Sequence, residues 1–176
     1  DISILSAKSL EHCRFGAPIE LSTRFVDFSK KKYFPIDEII SLYDNRAGET
    51  VRNHINSLFE MYGLLLEDPK EGFGKYLEDR WVDKVPNGIN IKSAIMGEAC
   101  DVLGNLLPCA TLTSLGLSIS GEAVPKVVEH LRLDGTEENF AIAEAIIRET
   151  KVIGAESYLR HTDNISEWRR NSWEHI

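Results

Sequence analysis

The chain has 176 residues, of which 43% are hydrophobic and 27% charged, and its formal net charge at pH 7 is −8. This composition is typical of an ordinary globular protein, and the length suffices for a single domain over residues 1–176. The negative charge argues against nonspecific binding to nucleic acids or acidic membranes, because such proteins present a basic face. No apolar run reaches the length of a membrane span, and the first residues lack the charge pattern of a signal peptide.

The three cysteines, Cys13, Cys100 and Cys109, are scattered and odd in number. This pattern is typical of reduced thiols, so we expect a cytoplasmic protein. The sequence contains no H-E-x-x-H motif, no glycine-rich phosphate loop and no G-x-S-x-G motif. His54 has no second ligand at metal spacing. We therefore predict no metal site and no catalytic nucleophile.

The first predicted element is a helix over Ile2–Cys13, where apolar residues recur at helical spacing. It is expected to end before Gly16 and Pro18, because glycine and proline interrupt helices.

A strand is predicted next, because apolar and polar residues alternate over 21–26. The alternation places Ser22 and Arg24 on one face. A hydroxyl beside a guanidinium suits a phosphate or a planar heterocycle, and a solvated edge strand is the alternative interpretation. The run Lys30-Lys31-Lys32 is of a kind that is usually solvated, with contact to a phosphate as the alternative.

The following elements are helices. Pro35 fits the first position of a helix that Gly48 closes, and Thr50 is expected to cap the next and clearest one. The apolar stripe of that helix comprises Val51, Ile55, Leu58, Phe59, Tyr62, Leu65 and Leu66.

Two glycines, Gly97 and Gly104, fall in a further helix that Asn90 is expected to cap. Each costs a helix about 1 kcal/mol relative to alanine, so close packing of another backbone is the expected reason for them. The last long helix is predicted to begin at Thr136, and the tail around Trp168 resembles a short amphipathic helix.

The stretch 12–28 resembles the signature of the flavin-dependent thymidylate synthases. With x for a position of any residue type, that signature reads Arg-His-Arg-x-x-Ser-x-Asn-Glu-x-Ser-x-Arg-Tyr. Its second half corresponds to Glu20–Phe25, with phenylalanine in place of tyrosine. In the first half Arg14 keeps the family's residue, and the positions that differ are His12, Cys13, Ala17 and Ile19. A divergent long-chain branch of the family, which reads Ile-Glu-Lys-Ser-Thr-Arg-Tyr-Val at this point, is similar to this chain.

A second segment, Leu106–Ser114, resembles the Leu-Leu-Pro-Ala-Ala-Thr-Leu-Thr-Asn segment of the same branch. In the family, a loop bearing Asn and Arg follows and leads to a helix that ends in Leu-Arg. Ser120 and Glu122 stand at the two loop positions, and Arg132 keeps the helix end. A carboxylate at Glu122 would repel an anionic substrate.

The resemblance implies a predominantly helical α+β fold and a homotetramer whose subunits share active sites. The implied reaction is reductive methylation of dUMP to dTMP, with methylenetetrahydrofolate supplying the carbon and FAD, reduced by NADPH, the hydride. The residues implied to hold the nucleotide are Glu20, Ser22, Arg24 and Arg132, and those implied to face FAD are His12 and Arg14. The family's preceding strand and helix are missing here, which predicts a fragment or half of a longer tandem protein.

A non-catalytic homologue is the alternative. The altered first half of the signature and Glu122 fit a protein that has lost FAD and serves as a nucleotide-binding or subunit-assembly module. A third interpretation is an unrelated helical interaction domain. The choice between dUMP and UMP stays open.

Overall fold

The structure, a computed structural model, describes residues 1–21, 23, 26–30, 32–67, 73–81, 84, 91–160 and 162. These residues form mostly helices and a few short strands, which confirms the predominantly helical α+β class. The helices are α1 (Ile4–Glu11), α2 (Ile36–Ser41), α3 (Asn45–Glu67), α4 (Phe73–Trp81), α5 (Ile91–Leu103), α6 (Val124–Leu133) and α7 (Glu137–Val152). The strands are β1 (Ile2–Ser3), β2 (Gly16–Glu20), β3 (Leu112–Thr113) and β4 (Leu115–Ile119).

The chain divides into two compact units, one made of residues 1–20 together with the chain from 113 onward, the other of residues 21–112. The single domain predicted over residues 1–176 stays a prediction.

The first unit contains an antiparallel ribbon of β2 and β4, in which Gly16 lies opposite Ile119 and Glu20 opposite Leu115. Pro18 is tolerated in β2 because a two-stranded ribbon leaves one edge of each strand without backbone partners. Helices α1, α6 and α7 enclose a core whose buried members are Leu10, Val127, Val128, Leu131 and Ala143.

The predicted helix over Ile2–Cys13 is confirmed in α1, with shorter bounds. It begins after Ser3, whose side chain accepts a hydrogen bond from the Ser6 N–H at 3.0 Å and so caps the helix. The strand predicted over 21–26 was wrong for its described residues: the strand is Gly16–Glu20, and Leu21 and Val26 pack against the core of the second unit instead. Extended backbone forms where β4 supplies a hydrogen-bonding partner, and the alternation of residue types did not reveal that partner.

The second unit is built on α3. Its buried core residues are Phe28, Ile55, Phe59, Tyr62, Leu103 and Leu107. The predicted stripe of α3 is confirmed for Ile55, Phe59 and Tyr62, whereas Leu65 is exposed. All three cysteines are free thiols, as predicted. Burial raises the pKa of the Cys100 thiol, which is typical of an unreactive structural cysteine.

The start of α3 corrects two predictions. The helix begins at Asn45, where the side chain of Asp44 accepts hydrogen bonds from the backbone N–H groups of Arg46 (2.9 Å) and Ala47 (3.3 Å). Thr50 therefore does not cap it, and Gly48 does not end the preceding segment but lies inside α3.

Gly48 is the place where two helices approach each other closely. A Cβ atom added there would lie 2.6 Å from the Asp37 carbonyl oxygen in α2 and would also collide with Ser41. Among the described residues, in contrast, a Cβ at Gly104 would meet Thr23 at 3.9 Å, which is ordinary contact, and no other side chain or backbone within 4 Å. The close backbone packing predicted at Gly104 was thus wrong, and Gly48 has that role.

Asp37 is the buried charge of the second unit. Its carboxylate is 4% exposed and lies 2.6 Å from the Nε atom of Arg52 in α3. Burial by itself would raise the pKa of Asp37, but the hydrogen bond from Arg52, helped by Tyr33, outweighs burial and holds the pKa below its ordinary value. The pair therefore joins α2 to α3 only while Asp37 is ionised.

We expect Asp37 to make stability fall in acid. A carboxyl whose pKa is depressed in the folded state stabilises that state above its unfolded pKa of about 3.9, and this contribution is lost as the pH falls through the folded value. The free energy of unfolding, measured in urea between about pH 3 and pH 6, should decline less steeply toward acid in Asp37→Asn than in the unaltered chain. Equal slopes would contradict the assignment, and Asp79→Asn, at an exposed ion pair with Lys75, is the control.

Predictions at the C-terminal side of the chain are confirmed. Helix α7 follows Thr136, whose hydroxyl accepts a hydrogen bond from the Asn139 N–H at 3.2 Å. Helix α6 contains Leu131-Arg132 in its last turn. The predicted tail helix around Trp168 lies outside the described residues.

Candidate functional site

A pocket of about 400 Å³ opens in the first unit, where the turn after α1 faces α6. It lies within the size range of small-molecule sites, about 300–1,000 Å³. The lining residues are Ser9, His12, Cys13, Arg14, Phe15, Ala123, Lys126, Val127 and His130.

The turn after α1 presents one wall of this pocket. The Cys13 N–H donates to the Leu10 carbonyl at 3.2 Å, and the Gly16 N–H donates to the Cys13 carbonyl at 3.1 Å. The chain reverses tightly there: a Cβ at Gly16 would lie 3.0 Å from the Leu117 side chain. These backbone hydrogen bonds hold His12, Arg14 and Phe15 beside one another at the pocket.

The opposite wall is the face of α6 that carries Lys126, Val127 and His130, and two of these side chains pair with those of the turn. The rings of His12 and His130 stack with centroids 5.3 Å apart and an interplanar angle of 25°. The Lys126 ammonium lies 5.9 Å from the centroid of the Phe15 ring, a cation–π geometry. Aromatic surface and positive charge thus alternate around the pocket.

The charge of the pocket is opposite to that of the chain. Arg14 and Lys126 line it, and no carboxylate does among the residues that the structure describes, although the whole chain carries −8. This pocket suits an anionic ligand with a planar ring.

A partly buried polar cluster joins the elements that form the two walls. Ser9, at the edge of the pocket, donates from its hydroxyl to Asp134 Oδ2 at 2.7 Å. The amide of Asn139, which is fully buried, donates to Asp134 and to the Ser9 hydroxyl. Helix α1 is thereby joined to the turn between α6 and α7.

The residues that the resemblance assigned to the uracil nucleotide lie elsewhere. Glu20, in β2, forms a 2.8 Å ion pair with Lys8, which also binds Glu11 at 2.7 Å. Hydrogen bonds from Lys8 to Glu11 and to Glu20 raise the pKa of Lys8. Ser22 and Arg24 lie outside the described residues.

Arg132 is engaged within the first unit. Its Nε and Nη2 atoms donate to Glu144 Oε1 at 3.0 and 2.6 Å, and Nη1 donates to the Thr162 carbonyl at 3.2 Å. It does not line the pocket. Glu122, one residue before the pocket's Ala123, is exposed in a single 3₁₀ turn.

Of the predicted site residues, the structure therefore brings His12 and Arg14 together, and it places Glu20 and Arg132 in separate ion pairs. Phe15, Lys126 and His130 belong to the pocket and were not predicted. Lys126 and His130 are more than a hundred residues from Arg14 in sequence, and no motif marked them.

No known protein-family profile matches the chain. It is similar to a UPF0159 protein of Chlamydia muridarum (strain MoPn / Nigg), with 29% identity over 153 residues, which is 84% of this chain and 28% of the relative. It is also similar to a UPF0159 protein of Chlamydia pneumoniae, with 31% identity over 137 residues, 75% of this chain and 25% of the relative. The chain thus spans about a quarter of the length of these curated relatives.

Metal ligation and membrane insertion find no support in the part of the chain that the structure describes. The described residues contain no group of three or more histidine, cysteine or acidic side chains arranged to hold a metal ion. Among the helices of those residues, none is both long and apolar enough to cross a bilayer.

Proposed function

We propose that this chain is the flavin-binding part of a flavin-dependent thymidylate synthase-like protein, which converts dUMP to dTMP by reductive methylation. One observation carries the proposal. The two residues that the resemblance assigns to FAD, His12 and Arg14, line one pocket, and that pocket also contains two rings and a second cation. His12 and Arg14 are close in sequence, whereas Lys126 and His130 come near them only because of the fold.

The residues present fit a flavin nucleotide. Phosphate is recognised by a guanidinium through paired hydrogen bonds and by an ammonium as a point charge, and Arg14 and Lys126 offer one of each. Phe15 and the His12–His130 pair offer planar surface for a ring. No described carboxylate lines the pocket to repel the phosphates.

In the proposed protein the bound FAD supplies the hydride, and the chain supplies binding and orientation. Arg14 and Lys126 would hold the phosphates of FAD, and Phe15 would offer a ring against which FAD packs. The hydrogen bonds among Ser9, Asp134 and Asn139 join α1, which leads into one wall, to the end of α6, which forms the other. Folate, NADPH and the subunit partners of a tetramer belong to the same proposal, as does the uracil nucleotide at Ser22 and Arg24.

A non-catalytic nucleotide-binding module is the second candidate. It is favoured by the internal ion pairs of Glu20 with Lys8 and of Arg132 with Glu144. A nucleotide at either side chain would have to replace a charge-assisted hydrogen bond that already exists. Such a module would bind a nucleotide through the pocket and carry out no methylation.

Ligand titrations separate the two candidates. FAD is followed by the change in its visible absorbance and fluorescence, and dUMP and UMP are titrated calorimetrically into the chain with and without added FAD. The synthase-like function predicts binding of FAD and of one uracil nucleotide, with Arg24→Ala weakening the latter about tenfold to a hundredfold. Arg24→Lys should recover little of this loss, because lysine keeps the charge but not the planar fork.

The outcomes are distinct. Binding of dUMP or UMP without any binding of FAD would favour the non-catalytic module, which has lost FAD. Absence of heat and of spectral change with all three ligands would overturn both candidates. Unchanged dUMP affinity in Arg24→Ala, with a lower melting temperature, would assign Arg24 to a structural ion pair instead.

A further inference from the structure

The second unit contains a larger cleft of about 950 Å³ beside α3, which is independent of the pocket described above. Its lining residues are Ser29, Lys30, Lys32, Tyr33, Pro35, Asp37, Glu38, Asn56, Phe59, Glu60, Gly63 and Leu64. It includes two members of the basic run that neither candidate function uses.

Three polar side chains of the cleft have no partner among the described residues. The ammonium groups of Lys30 and Lys32 are exposed and have no ion-pair partner within the described residues. The Ser29 hydroxyl is buried and, within the same residues, lacks a hydrogen bond. Its position is set by the Ser29 N–H, which donates to Asp27 Oδ1 at 2.7 Å. The oxygens of a phosphate monoester accept hydrogen bonds from groups of this kind, two cations and an unsatisfied hydroxyl.

Aromatic side chains form another part of the wall. The rings of Tyr33 and Phe59 lie nearly parallel, at 25°, with their centroids 6.5 Å apart, and both line the cleft. Leu64 adds apolar surface. A ligand that brought a flat ring to this wall would gain contact there.

The carboxylates limit the ligand's charge. The Arg52 guanidinium already balances Asp37 at 2.6 Å, so Asp37 does not oppose an anion. Glu38 and Glu60 also line the cleft, and their two negative charges equal in number the two positive charges of Lys30 and Lys32. They disfavour a polyphosphate, and they accept hydrogen bonds from an amino group on the ligand's ring.

Gly63 shapes the same wall from within α3. A Cβ atom added there would lie 3.3 Å from the Ser29 Cβ, which is tighter than ordinary contact. Glycine within a helix is unfavourable relative to alanine, so its presence here is explained by the room that it leaves at Ser29.

We propose that this cleft binds a nucleoside monophosphate whose base carries an amino group. Lys30, Lys32 and the Ser29 hydroxyl hold the phosphate, the Tyr33–Phe59 wall contacts the base, and Glu38 or Glu60 accepts from its amino group. The probe is AMP, titrated calorimetrically into the whole chain, with adenosine, ATP and inorganic phosphate for comparison.

AMP should bind at least about tenfold more tightly than each of the three comparison ligands. Adenosine lacks the phosphate, inorganic phosphate lacks the ring, and ATP brings extra charge to the two glutamates. Lys30→Gln with Lys32→Gln should weaken AMP binding at least about tenfold. Gly63→Ala should also weaken it while the melting temperature stays the same or rises.

Two matched variants test the location. Lys84→Gln with Lys151→Gln removes the same charge from exposed lysines outside the cleft and should leave AMP binding unchanged. Arg14→Gln with Lys126→Gln, in the first unit's pocket, should also leave it unchanged. The proposal is overturned if AMP does not bind at millimolar concentration. It is also overturned if the Lys30/Lys32 variant keeps its affinity for AMP, or if either matched variant loses as much affinity as the Lys30/Lys32 variant does. None of these results depends on whether FAD binds.

Discussion

Neutralising Arg14 and Lys126 together is expected to weaken FAD binding by about a hundredfold or more. Apart from the histidines, the two side chains are the cations among the described residues that line the pocket, so no other lysine or arginine there can hold the phosphates in their place. A charged hydrogen bond contributes about 1.5–3 kcal/mol, and 1.4 kcal/mol corresponds to a factor of about ten in affinity. The variant is Arg14→Gln with Lys126→Gln, and the measurement is flavin fluorescence during titration.

A matched control keeps the change in net charge the same. Arg148→Gln with Lys151→Gln removes one guanidinium and one ammonium from exposed positions of α7 in the same unit. Arg148 pairs only with the exposed Glu149 among the described residues, an interaction that contributes little to stability. The control should bind FAD like the unaltered chain. If both variants lose affinity equally, the effect is long-range charge and the assignment of the pocket fails.

Gly48→Ala is expected to lower the free energy of unfolding by about 1–3 kcal/mol, although helix propensity alone favours alanine by about 1 kcal/mol. The added methyl group would lie 2.6 Å from the Asp37 carbonyl oxygen, a backbone atom that cannot rotate away. Either α2 must move away from α3, or the ion pair between Asp37 and Arg52 must be distorted. Urea unfolding at neutral pH measures the change.

Gly74→Ala is the control for the sign of this effect. Gly74 lies in α4, and a Cβ there would have no described atom within 4 Å. Alanine should therefore raise stability at Gly74, by up to about 1 kcal/mol. If alanine raises the free energy of unfolding at both positions, α2 and α3 lie farther apart at Gly48 than the structure places them.

The two proposed binding sites depend differently on the sequence. The signature-like stretch is enough to indicate His12 and Arg14, because it carries the family resemblance. The basic run at Lys30–Lys32 is also visible in the sequence, but a run of lysines by itself is usually solvated. What distinguishes Lys30 and Lys32 is the unsatisfied hydroxyl of Ser29 and the aromatic wall beside them.

The sequence by itself determined those elements whose cause is local. Thr136 caps α7 with its own hydroxyl, and the stripe of Ile55, Phe59 and Tyr62 marks the buried face of α3. A capping hydrogen bond spans three residues and a helical stripe repeats within four, so both are visible in a short window. The helical class of the fold followed from the same signals.

Only the tertiary structure decided the features that join distant residues. Gly48 was predicted to end a helix, but it lies inside α3 at a contact with α2. The carbonyl group for which it leaves room, that of Asp37, belongs to the other helix. Arg132 was expected at a nucleotide and is held by Glu144 of α7. Lys126 and His130 reach the turn at His12–Phe15 because the first unit's core packs α1 against α6. Such contacts depend on how helices pack, and local periodicity indicates which face is buried but not what it meets.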